Sequence, residues 1–185
     1  MALHIHRGPF TVDAYQRLGE LGVLPHGARV ELIDGQVVEM TPSGDDHASC
    51  VRRLNHLLAR AAGGRAIVDV QNPVVLGPYD APQPDLALLR PQADLYPRHP
   101  RPGDVILAIE VADTSLAYDR DVKIPRYAAA GIPEIWLVDL GADTVGVYRR
   151  PGPDGYSEVV MHGRGETLRP HLLAGIAVLA DEVLG

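Results

Sequence analysis

Lys123 is the only lysine in a chain of 185 residues that holds sixteen arginines. Arginine serves equally well wherever a surface charge is wanted. It does not serve where a compact, rotatable point charge with a tunable pKa is needed. Lys123 follows Glu110 by thirteen residues and the Pro84-Asp85 pair by thirty-eight. Asp85 heads the run Asp-Leu-Ala-Leu-Leu, and Glu110 ends the run Val-Ile-Leu-Ala-Ile. A carboxylate in such apolar company loses hydration unless donors or a cation replace it. Two that converge repel each other, and a hard divalent ion relieves both problems. Mg²⁺ prefers oxygen ligands, keeps several waters and typically takes one or two protein carboxylates. Glu31, between Val30 and Leu32, is a candidate third acid for a second ion or for orienting metal-bound water; on its alternation alone it could equally face solvent. Lys123 could neutralise charge on a pentavalent phosphate or help orient the attacking water. Taken alone, it could also be a leftover surface residue.

Other residues carry weaker signals. Asp85, after a proline, could merely begin a strand. Glu110 is harder to read as structural, since a lone buried carboxylate is uncommon. His47 opens a helix after two aspartates and reads as a surface residue or a neighbour of the site rather than a ligand. Tyr127, four residues beyond Lys123 on the same helical face, packs either beside the site or in the core. Trp136 reads as core. The other histidines show no metal-ligand spacing, and Cys50 stands alone, which excludes an internal disulfide and any multi-cysteine zinc module. Ser49 and Ser115 lack a nucleophile elbow and there is no G-x-x-x-x-G-K loop, so serine hydrolase and nucleoside-triphosphatase chemistry fall away.

Hydrophobic content of 46% and charged content of 22%, with no break in composition, point to a single domain over 1–185. Such a chain buries roughly 70% of its unfolded surface. A net charge of −7 argues against a wide basic phosphate-binding face. It leaves nucleic acid open as a partner, because a carboxylate metal cluster makes its own sequence acidic until ions bind. Arg52-Arg53, Arg98 to Arg101 and Arg149-Arg150 read as solvated surface ahead of phosphate contacts. No apolar run approaches the ~20 residues of a spanning helix, and the first ten residues, with His4, His6 and Arg7, do not form a signal peptide. The expectation is a cytoplasmic protein with no membrane partner.

Thr11 caps an expected helix through Leu21. Val30 to Ile33, Asp34-Gly35 and Gln36 to Met40 form an expected hairpin on a type I′ turn. A helix runs from Asp45-Asp46 to about Ala62 and stops at Gly63-Gly64. Strands are expected at 66–70, 74–76, 85–89, 105–111, 134–139, 144–148 and 156–161. Residues 90–103 read as a surface loop. A helix over 123–130 must begin just before Pro125 or bend there. This order predicts an α/β domain with a mixed sheet.

Pro84-Asp85, Glu110-Val111, Asp119, Lys123, Tyr127 and Gly131-Ile-Pro-Glu-Ile-Trp-Leu-Val-Asp139, preceded by Glu31-Leu-Ile-Asp-Gly35, Met40, Pro42 and His47, resemble the Uma2 family, also known as DUF820. The resemblance covers roughly residues 10 to 150. Those proteins are similar to restriction endonucleases of the PD-(D/E)xK superfamily. The resemblance implies a restriction-endonuclease-like fold, a mixed central β-sheet flanked by helices. It places Asp85 as the motif aspartate, Glu110 as the motif acid, and Mg²⁺ (or Mn²⁺ in its stead) at Asp85, Glu110 and Val111. The superfamily's lysine lies two residues after the acid, where this chain has Ala112. Lys123 fits the relocated lysine of this family, and Glu31 fits an acid that some members supply from the N-terminal region. The implied activity is a metal-dependent endonuclease that hydrolyses phosphodiester bonds, in DNA, by a metal-activated water. The alternative is a nuclease-fold binding or scaffolding module without catalysis. A homodimer is expected, since cutting both strands of a duplex calls for two symmetry-related sites, and the apolar stretch Leu172 to Leu179 could cover a partner.

Overall fold

The computed structural model describes residues 8–24, 29–40 and 44–185. Pro42 and the first seven residues, which the sequence reading uses, lie outside them. In chain order the elements are α1 (Val12–Glu20), β1 (Val30–Ile33), β2 (Gln36–Glu39), α2 (Asp45–Ala62), β3 (Ile67–Val70), β4 (Leu86–Leu89) and β5 (Val105–Ala112). Then come α3 (Leu116–Tyr118), a π-helical segment Asp119–Lys123, α4 (Ile124–Ala129), β6 (Glu134–Asp139), β7 (Thr144–Gly152), β8 (Gly155–His162), β9 (Thr167–Leu168), β10 (Val178–Leu179) and α5 (Ala180–Leu184).

Strands β3 to β8 make one six-stranded sheet in sequence order, and only the β5–β6 pair is parallel. That pair needs a crossover, and the helical stretch from Leu116 to Ala129 supplies it. Strand β5 is buried along its whole length, so its side chains serve two layers. Ile109 and Val111 face Leu54 and Leu58 of α2, together with Trp136 and the C-terminal Val183. Ala108 and Ala112 face Ile124 and Tyr127 of α4. By the same alternation Glu110 points to the α4 side.

Local rules account for most boundaries. Thr11 accepts a hydrogen bond from Ala14 N–H at 3.2 Å and starts α1. Gly63, in the left-handed region, ends α2. Asp34 and Gly35 both take positive φ, as a type I′ turn requires. A side chain at Gly35 would also collide with Pro9, so glycine is needed twice over.

Three expectations are corrected. Residues 74–76 are extended but form no strand, because Val74, Val75 and Leu76 send their N–H groups to Pro82, Pro100 and Asp80 carbonyls. The helix expected from Lys123 begins at Leu116. Pro125 lacks the N–H that would bond Asp121, and the helix widens instead, with Ile124 N–H bonding the Asp119 carbonyl five residues back. The stretch Leu172 to Leu179 is no spare apolar face: Leu173, Ile176 and Val178 are buried in the chain's own core, with only Leu172 and Leu179 exposed among its large apolar residues. Two of the arginine clusters are also internal fasteners. Arg53 donates to the Val183 and Leu184 carbonyls, and Arg149 to Glu134 and to the Arg169 carbonyl. Among the described residues no helix is long and apolar enough to cross a membrane.

Glu134 is fully buried and satisfied by three donors: Trp136 Nε1 at 2.7 Å, Arg149 Nη2 at 3.0 Å and His171 N–H at 2.6 Å. It ties β6 to β7 and to the segment after β9. Glu134→Ala strands these donors, at ~1–3 kcal/mol for each buried group left unpaired. The expected loss is about 3 kcal/mol in urea unfolding, and an unchanged midpoint contradicts the role given to it.

Candidate active site

The register Leu86↔Ile109 brings the next residues, Asp85 and Glu110, side by side at the end of β4. Both line a cleft of about 300 Å³, together with Glu31, His47, Val111 and Lys123. Glu31 (0% exposed), Glu110 (1%), Lys123 (2%), Asp85 (5%) and Asp119 (5%) are all withdrawn from water. The sequence-derived acids and the lysine therefore share one cleft.

Lys123 is the hub. Its Nζ lies 2.7 Å from Glu110 Oε1, 3.5 Å from Glu31 Oε2 and 3.9 Å from Asp119 Oδ1, and donates to the Gln83 carbonyl at 3.1 Å. Glu110 Oε1 also accepts the Tyr127 hydroxyl at 2.6 Å. Tyr127 thus fills both roles open to it, since it is buried core and holds the site acid. Glu31 Oε1 accepts from Tyr118 and Oε2 from Gln83 N–H, each at 3.0 Å. This acid does not face solvent, because the hairpin docks on the Ala81 segment through reciprocal Leu32–Ala81 backbone bonds. Arg126 of α4 bonds Asp34 at the hairpin tip and Asp80 at 3.2 Å, so the element carrying Glu31 is tied to the one after Lys123.

Asp85 sits among donors. Gln71 Nε2 (3.2 Å) and Arg29 Nη2 (3.4 Å) reach its Oδ1, while His47 Nε2 and Val111 N–H, both at 3.0 Å, reach its Oδ2. His47 is buried and bonded to a site acid, so it is not a surface residue. Asp119, Gln71, Gln83, Arg29 and Tyr118 escaped the sequence reading as site residues. Only Asp119 left a usable trace, four residues before Lys123, and the uncertain helix start at Pro125 obscured it.

Electrostatics follow from burial. Burial raises the Glu110 pKa, Lys123 pulls it back, and the Asp119 and Asp85 charges push it up again, for a net position well above the usual carboxylate range. Asp119 is raised by the same desolvation, only partly countered by Lys123 and Ser115. Asp85 goes the other way: desolvation is outweighed by His47, Val111 N–H and Lys123, and its pKa is lowered. Lys123 resists desolvation because Glu110, Glu31 and Asp119 raise its pKa and keep it charged.

The donor chemistry fits a hard divalent cation. Six carboxylates line the cleft against Arg29, Lys123 and His47. Among the described residues no hydrogen bond reaches Glu110 Oε2, whose partner oxygen takes both Tyr127 and Lys123. No group of three or more His, Cys, Asp or Glu side chains among those residues could hold a metal ion. Mg²⁺ does not demand such a group, as it is content with one or two carboxylates and water. Asp85 and Glu110 are the side chains that would hold it, with Val111 N–H bonded to Asp85 Oδ2.

The model of the Uma2 family, described as "putative restriction endonuclease", matches residues 12–181. The chain belongs to this family. A crystal structure of "a putative nuclease belonging to DUF820" from Anabaena variabilis is similar, with a TM-score of 0.67 and 18% sequence identity over 95% of this chain and 98% of that one. At that identity the likeness is one of fold, and it supports the mixed sheet flanked by helices. No curated protein matches the chain.

Two substitutions should act on stability with opposite sign. A carboxyl whose folded pKa lies above its unfolded value makes its ionised form a cost, relieved as pH falls through the folded pKa. Glu110→Gln is therefore expected to raise the melting temperature in metal-free buffer at pH 8. Lys123→Ala leaves buried acids without their ammonium and should cost ~3–5 kcal/mol. Calorimetry of both variants with chelator decides this; a destabilised Glu110→Gln contradicts the charge imbalance.

Proposed function

We propose that this chain is a divalent-metal-dependent endonuclease that hydrolyses phosphodiester bonds in DNA, with Mg²⁺ as the ion and Mn²⁺ able to replace it. The observation that carries this reading is the surplus of buried carboxylates around one ammonium in a cleft open to a ligand. Family membership and the fold shared with a protein described as a nuclease support it. When bound, the ion supplies a Lewis acid for the phosphate and a water of lowered pKa. Asp85 and Glu110 hold it, with Val111 as the third contact carried over from the family resemblance. Lys123, steered by Glu110 and the Gln83 carbonyl, stabilises the charge that develops on phosphorus oxygens. Glu31, fixed by Tyr118 and Gln83, keeps Lys123 charged and aimed. The reading takes 1–185 as one nuclease-like domain acting in the cytoplasm.

A homodimer belongs to this reading, because two sites are needed to cut both strands. With Leu172 to Leu179 engaged internally, an exposed apolar surface suited to it is the outer edge of β8, where Val159, Val160 and Met161 stand out. Edge strands pair readily with copies of themselves. Sedimentation at micromolar concentration should show a two-fold species, and monomer throughout removes this part of the proposal.

The rival, a non-catalytic binding or scaffolding module, is favoured by the net charge of −7 and the acid-lined cleft, which repel DNA when no cation is bound. Plasmid nicking separates the two. Mg²⁺-dependent nicking that disappears in Asp85→Ala is expected of the enzyme. Lys123→Ala should lower turnover by roughly 10². Lys123→Arg should not restore it, since a planar guanidinium cannot repeat the single-point contact at 2.7 Å. No nicking by the unaltered protein at any Mg²⁺ or Mn²⁺ concentration favours the rival.

A further inference from the structure

His47 has no part in the chemistry just described, yet it is built into the cleft. It sits in the first turn of α2, a helix clamped to the sheet by Cys50, Leu54 and Leu58 and held at the C-terminus through Arg53. Its imidazole is therefore placed by a rigid element rather than by a loop. An ionised carboxylate only accepts hydrogen bonds, so the 3.0 Å contact with Asp85 Oδ2 requires the proton to be on Nε2. Nδ1 is buried and has no hydrogen-bond partner among the described residues, so the ring is anchored through Asp85.

The four donors around Asp85 are unequal. Val111 N–H and His47 Nε2 both grip Oδ2, one from β5 and one from α2, each at 3.0 Å. Gln71 and Arg29 reach Oδ1 at 3.2 and 3.4 Å, and the Arg29 side chain is 27% exposed. A carboxylate offers about four lone-pair positions, so an arriving cation must displace a donor. The longest contact lies on Oδ1. Oδ2 is then the pinned oxygen and Oδ1 the one presented.

We propose that His47 is a positioning residue, which fixes Asp85 Oδ2 so that Oδ1 is presented to a divalent cation shared with Glu110. This rests on the metal-dependent reading above. The side chain works through Asp85 and touches neither ion nor substrate. Hydrogen-bond partners of metal-bound ligands typically contribute about 10–100-fold to metal affinity, and His47 should fall in that range.

The experiment is titration of the unaltered protein and two variants with Mn²⁺ by calorimetry, beside their melting temperatures in chelator. In His47→Gln the amide nitrogen reaches about as far as Nε2 and can still donate to Asp85. In His47→Asn it reaches only as far as Nδ1 and cannot. Mn²⁺ affinity is expected to fall roughly 10–100-fold in His47→Asn and to stay within about threefold in His47→Gln. Equal Mn²⁺ affinity in His47→Asn and the unaltered protein overturns the proposal. An equal loss in both variants does so too, since that marks simple packing. If His47→Asn does not fold, His47→Gln alone decides, because a large loss of affinity there contradicts a role that its amide can fill. Absence of Mn²⁺ binding by the unaltered protein overturns the metal-dependent reading itself, an outcome distinct from failure of the histidine's role.

Discussion

The desolvation of Glu110 governs this molecule. Its carboxyl is 1% exposed in the middle layer of the protein, on a strand that is otherwise entirely apolar. Such a group is tolerated only when something replaces its water. Lys123 at 2.7 Å and Tyr127 at 2.6 Å do so, and both converge on the same oxygen. Among the described residues no hydrogen bond reaches the other oxygen. Burial holds Glu110 well above its ordinary pKa, Lys123 pulls it back only in part, and the charges of Asp119 and Asp85, which draw on the same ammonium, push it up further.

The fold can be understood as the means of holding that imbalance in place. The antiparallel β4–β5 register sets Asp85 beside Glu110, and the parallel β5–β6 crossover brings Lys123 over them. Proline at position 125 shapes the crossover. By denying Asp121 its helical partner it widens the turn, and Asp119 and Lys123 stand at the two ends of the widened segment. π-Helical turns often mark functional positions, and here the cause is local and chemical. Buried ion networks seldom add stability over an apolar core of the same volume, so a network of this size argues for a task other than folding.

Much of this was legible in the chain. Asp85, Glu110 and Lys123 stand out by type and by apolar surroundings, and the hairpin announces itself through Asp34-Gly35. Glu31 was ambiguous because period-two alternation does not reveal which face a neighbouring segment covers; the Ala81 stretch decides it. His47 could be read only as a surface residue or a neighbour of the site, since the partner that decides between them lies 38 residues away. Residues 74–76 are apolar, with β-branched Val74 and Val75, but make their backbone bonds outside any ladder, an arrangement that propensity does not encode. The C-terminal stretch wraps the α2 side of the sheet without a repeating period, so its burial had no sequence signature. The arginine pairs looked solvated because charge alone does not show which carbonyls lie within reach.

The claim on which everything else turns is that the carboxylate surplus at Asp85 and Glu110 is completed by a divalent cation. Anomalous diffraction from a crystal soaked in Mn²⁺ tests it directly. The expected result is a single strong anomalous peak within ligand distance of both carboxylates, with Lys123 still paired to Glu110. A crystal that takes up Mn²⁺ elsewhere, or not at all, while Asp85 and Glu110 keep only protein donors, would contradict it.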